Sequence, residues 1–172
     1  VELGKLYGAR VIATGTSDEE LEIVKSWGAD EIVNTLEAGK TSFREEVKEL
    51  TNGNGADVIY DPVGGDVFDE SIRCINWGGR LLVIGFAGGR ISNLPVNYPL
   101  IKGFSVIGVR AGEYGRKNPD LGKENIDIIN NLANEGKLKP HICKIFSFER
   151  SLEALKYLKD RKLIGKVVIS IS

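Results

Sequence analysis

With 172 residues, 42% of them hydrophobic and 27% charged, the chain is long and apolar enough to bury the core of one globular domain. Its 23 Lys and Arg stand against 24 Asp and Glu, which leaves no basic stripe for nucleic acid and no polybasic arm for a membrane surface. Apolar runs such as LLVIGFAG fall short of a bilayer, and Cys74 and Cys143 lack any CxxC spacing, so a cytoplasmic chain with no membrane partner, metal site or disulfide framework is expected.

The opening VELGKLYGA reads as the tail of a helix closed by Gly8. A chain that starts inside such a pattern and contains no methionine is expected to be a piece of a longer protein. RVIATG (10–15) is a short β-branched strand, and SDEELEIVKSWG (17–28) a helix with Ser17 as N-cap, Glu20 completing a capping box and Gly28 at its close. Strand EIVNT (31–35), helix SFREEVKELTNG (42–53) and strand ADVIYDPV (56–63) follow. DVFDESIRCINWGG (66–79) spaces Val67, Phe68, Ile72 and Ile75 on one helical face, so a helix is predicted through 79. RLLVIGFAGG (80–89) has the unbroken apolar character of a strand covered on both faces. A loop holding Pro95 and Pro99 leads to strand FSVIGV (104–109). A long helix near 120–135, strand CKIFSF (143–148), helix SLEALKYLKDRK (151–162) and strand KVVISIS complete the chain.

Strands alternating with helices imply right-handed parallel crossovers, hence an α/β, Rossmann-like doubly wound sheet formed by residues 1–172 as one domain. Ligands of such sheets lie beyond the carboxyl ends of the strands. Two of those ends, DPVGGD (61–66) and GFAGG (85–89), are glycine-rich. Glycine there admits close backbone approach and leaves helix N–H groups facing an anion or ribose, and a sheet built for packing alone would not need glycine at both. Other residues have plainer readings. His141 reads as a surface or packing residue rather than a general base or zinc ligand, Asp61 before Pro62 suits a turn or a ribose contact, and Asp18, Glu19 and Glu20 complement a helix N-terminus. Trp27 and Trp77, each before a glycine at a predicted helix end, are expected to pack on the sheet.

The segment DPVGGDVFDESIRCINWGGRLLVIGFAGGRI, followed by FSVIGV and by Gly165-Lys166 before the last strand, resembles the nucleotide-binding domain of the zinc-independent quinone oxidoreductases. These belong to the medium-chain dehydrogenase/reductase superfamily. The resemblance implies that the first strand and its glycine loop, together with a catalytic domain, lie outside this chain. It also implies a nicotinamide coenzyme, NADP(H) over NAD(H), and hydride transfer to a small-molecule quinone or enone. The cofactor contacts that it carries over are Thr16, Thr35, Gly65, Ile84, Gly85, Phe86, Gly108, Val109, Arg110 and Lys166. No residue of the chain is assigned as a catalytic acid or base. Glu20 and Thr35 stand where NADPH-binding members usually carry Lys and often Tyr, yet ATGTS also lacks the acidic residue that holds a ribose 2′-hydroxyl. The resemblance further implies a homodimer through the edge strand near 104–109. A stand-alone nucleotide-binding or sensor module and a methyltransferase are the rival readings, the latter wanting a ribose-binding acid after the second strand.

Overall fold

The computed structural model describes residues 1–36, 43–160 and 163–171, which gather into two compact units, Val1–Glu124 and Asn125–Ser172. The predicted helix start at Ser42 and helix end at residues 161 and 162 lie outside the described residues.

The first unit opens with α1 (Glu2–Leu6), closed by Gly8 at φ +77°, as the sequence indicates. Strand β1 (Ile12–Gly15) pairs in parallel with β2 (Glu31–Asn34) across helix α2 (Asp18–Ser26). Ser17 caps α2 as expected, its Oγ accepting from Glu20 N at 3.5 Å. Helix α3 (Arg44–Leu50) leads to β3 (Ala56–Asp61), and α4 (Asp66–Cys74) to β4 (Ile75–Val83). Helix α5 (Asn97–Lys102) precedes β5 (Ser105–Gly108), α6 spans Ala111–Lys117, and α7 (Pro119–Asn134) begins before the unit ends.

All ladders are parallel, in the orders β1–β2 and β3–β4–β5. These match positions 3-2 and 4-5-6 of the doubly wound order 3-2-1-4-5-6. Position 1, between β1 and β3, is unfilled among the described residues, consistent with a sheet that lacks its first strand. The two ladders share a core nonetheless. Val33, Phe43, Val47 and Cys74 form one buried cluster, against which Ile12 of β1 and Ile59 of β3 both pack. A second cluster of Phe68, Ile72, Ile75, Leu81 and Phe104 seats α4 on the three-stranded ladder. Leu81, fully buried in the central strand, contributes about 2 kcal/mol through burial alone.

Four sequence expectations are corrected. Helix α4 stops at Cys74, because Ile75 pairs with Ala56 and opens β4. Ile75 is buried as the first residue of β4, and an apolar residue at that position suits a helical face equally, so the pattern could not discriminate. Trp77 therefore lies in a strand rather than at a helix end and is 75% exposed, its indole placed over Gly103. The stretch with Pro99 is a helix, not a loop, closed by Gly103 in the left-handed conformation. Finally, the three-stranded ladder is not covered on both faces: Val58 and Tyr60 of β3 and Ile107 of β5 are exposed on the side away from Ile59 and Leu81.

In the second unit, β6 (Ile142–Ser147) pairs in parallel with β7 (Lys166–Ser170), and α8 (Ser151–Lys159) supplies the crossover after a 3-10 turn at Phe148–Arg150. Phe146 is buried against Tyr157, with Lys144 Nζ 5.2 Å and 5.0 Å from their ring centres.

Candidate functional site

A cleft opens at the carboxyl ends of β1, β2 and β3. One side is formed by Thr16, Thr35 and Leu36, the other by Val63, Gly64 and Gly65 with Asp66 and Val67 of α4. Gly88 and Arg90, from the loop after β4, complete it. This is the position at which a doubly wound sheet holds its ligand, beside the break in strand order.

The β1–β2 side is tied together by polar contacts. Thr35 donates to the Gly15 carbonyl twice, through N at 2.8 Å and Oγ1 at 3.0 Å, and is buried. Asn34, at the end of β2, donates from Nδ2 to Asp18 Oδ1 at 2.6 Å and accepts from Leu36 N at 2.9 Å. It thereby ties the first residue of α2 to the end of β2.

On the other side Asp61 ends β3 as the sequence suggests, in a turn. Its Oδ1 accepts from Val63 N and Gly64 N, both at 2.9 Å, while the buried Oδ2 has no partner among the described residues. The two glycine loops lie on one another. Ala87 N donates to Pro62 O at 3.1 Å, Gly88 N to Val63 O at 2.9 Å, and Gly65 N to Ser92 Oγ at 2.8 Å. A Cβ at Gly64, where φ is +70°, would stand 2.9 Å from the Phe86 ring, and one at Gly88 3.1 Å from Val63 O. The expectation that packing alone would not demand glycine at both strand ends is thus corrected: the two loops need small residues to meet each other. Arg90 lies over Gly65, and its guanidinium donates to Asp66 at 2.8 Å and Asp69 at 2.5 Å. Those two carboxylates hold the Arg90 pKa above its ordinary value.

Of the residues carried over by resemblance, Thr16, Thr35 and Gly65 line the cleft together. Ile84, Gly85 and Phe86 sit in the loop just after β4, with Ile84 N bonded to Asp61 O and the Phe86 ring against Gly64. Gly108, Val109 and Arg110 lie one strand further along, where Val109 N donates to Val83 O at 2.9 Å and Arg110 starts α6. Lys166 opens β7 in the second unit, its N–H donating to His141 O at 2.7 Å. Sequence reasoning passed over Asn34 as a clamp and Arg90 altogether. DVFD shows the two carboxylates one helical turn apart, but no spacing announces an arginine that reaches them from a loop more than twenty residues on. Among the described residues no three His, Cys, Asp or Glu gather as a metal-binding group.

Residues 1–129 match the family described as zinc-binding dehydrogenase. The chain is 38% identical over 166 residues to quinone oxidoreductase-like protein 2 homolog of Nematostella vectensis, covering 96% of this chain and 44% of that protein. It is 31% identical over 170 residues to the acryloyl-coenzyme A reductase of Sulfurisphaera tokodaii, covering 98% and 46%. The crystal structure of an NAD-dependent alcohol dehydrogenase superposes with a TM-score of 0.83 at 32% identity, over 99% of this chain and 46% of that one. The chain thus spans a little under half the length of the relatives it matches. The likeness to quinone oxidoreductases and the Rossmann-like fold read from the sequence are both borne out.

Proposed function

The chain belongs to the zinc-binding dehydrogenase family, and on that premise we propose that it is the coenzyme-binding part of an oxidoreductase that passes hydride from a nicotinamide dinucleotide to a quinone or enone. The observation that carries this reading is the cleft at the carboxyl ends of β1 to β3, beside the unfilled strand position and bordered by the N-terminus of α4. Thr16, Thr35 and Gly65 would hold the coenzyme there. The bound dinucleotide supplies the hydride; the protein's part is to orient it and to exclude water. Relatives named as a quinone oxidoreductase-like protein and an acryloyl-coenzyme A reductase support an electron-poor acceptor.

The family is named for zinc, but the described residues offer no donor set for that ion, so no step of the reaction is routed through a metal held by this chain. The full-length protein is expected to reduce a benzoquinone or a conjugated enone with a reduced nicotinamide coenzyme after exhaustive chelation. Activity that disappears on chelation and returns with zinc would refute the metal-free step. The reading also includes a homodimer: β5 is the edge of its ladder, short, apolar and without charge.

A further inference from the structure

We propose that the cleft selects NAD(H) over NADP(H), with Asp18 placed to meet the adenosine 2′-hydroxyl. The proposal rests on the coenzyme-binding reading above and departs from the NADP(H) implied by resemblance. In dinucleotide folds the ribose is usually held by an acidic residue at the end of the second strand. Here β1 ends at Gly15 and Thr16 follows, so the position carries no acid in sequence. The structure supplies one from the first turn of α2. Asn34 holds Asp18 Oδ1 at 2.6 Å with its amide and accepts from Leu36 N with its carbonyl, so the exposed Asp18, two residues after Thr16, is tied to the strand end that carries Thr35 and Leu36 of the cleft lining. A carboxylate so fixed accepts a hydroxyl proton and repels a phosphate dianion.

The remaining charges point the same way. Glu19 and Glu20 share that helix turn with Asp18. The helix end offers an anion about half a positive charge, which three carboxylates outweigh. Arg90 is the cation among the described residues lining the cleft, and Asp66 and Asp69 already occupy its guanidinium. Among the described residues that line the cleft, a 2′-phosphate would find no free arginine or lysine, whereas a 2′-hydroxyl needs none.

The test is a calorimetric titration of the full-length protein with NADH and with NADPH, in parallel for the parent, Asp18→Asn and Asp66→Asn/Asp69→Asn, with thermal unfolding to confirm that each variant is folded. NADH is expected to bind the parent at least about tenfold more tightly than NADPH. Asp18→Asn is expected to narrow that ratio about tenfold, and freeing Arg90 with the double variant to tighten NADPH alone. NADPH binding as tightly as NADH in the parent, or a ratio that neither variant moves, would overturn the inference. A parent that binds neither coenzyme would instead overturn the coenzyme-binding reading itself.

Discussion

A methyl group at position 64 would meet the Phe86 ring at 2.9 Å and the Arg90 carbonyl at 3.3 Å, on a backbone whose φ of +70° already disfavours any side chain. Gly64→Ala is therefore expected to destabilise the fold by about 1–3 kcal/mol. At Gly108, which ends β5 with a backbone outside the left-handed region and open space around it, alanine should leave stability unchanged or slightly raised. Urea unfolding of the two variants side by side separates these outcomes. The contrast shows what the sequence could convey about the site. That glycines cluster where β3 and β4 end is plain from DPVGGD and GFAGG, but their reason is not, because the neighbour that excludes a Cβ is the other loop. Asp61 was readable as a turn residue, since its partners Val63 and Gly64 are local. The Arg90 ion pairs were not, since side-chain reach across a loop leaves no periodic trace.

At the scale of elements, Asp30 ties the first helix to the first strand. Its carboxylate accepts from Lys5 Nζ, at 2.7 and 2.8 Å, and from Val11 N at 2.7 Å. The Lys5 ammonium first, and the Val11 amide after it, hold its pKa below the ordinary carboxylate value of 3.8. A folded pKa below the unfolded one gives stability that is present above the unfolded value and is lost as pH falls through the folded value. Asp30→Asn should accordingly flatten the loss of stability between about pH 5 and pH 2, read from urea midpoints across that range, and leave neighbouring carboxylate contributions in place. Elements whose ends carry capping signals were legible: Ser17, Gly8 and Gly28 mark boundaries that the structure keeps. The end of α4 was not. A bulge between Ala56 and Val58 lets Ile75 pair while Asn76 binds Asp57 at 2.7 Å, and pairing with a partner strand outweighs a local helical phase.

For the whole molecule, the exposed edge of β5 sets the expectation for assembly. Ile107 is 39% exposed on that strand, whose one ladder partner among the described residues is β4. A charge on an edge strand discourages pairing with a second copy, so Ile107→Lys should convert a sedimenting dimer into a monomer without loss of circular dichroism. A parent protein that sediments as a monomer at high concentration would refute the dimer. The sheet class was legible in the alternation of strands and helices, and the unfilled first position, which leaves a gap between two ladders, in the resemblance to the quinone oxidoreductases. That gap has a consequence for cooperativity. Among the described residues the β1–β2 pair and the β3–β4–β5 ladder are separate ladders, joined by side chains around Val33, Val47 and Cys74. A strand seated in that gap would bond to β1 on one side and β3 on the other, so it would make the two ladders one cooperative sheet and protect both lips of the cleft from amide exchange together.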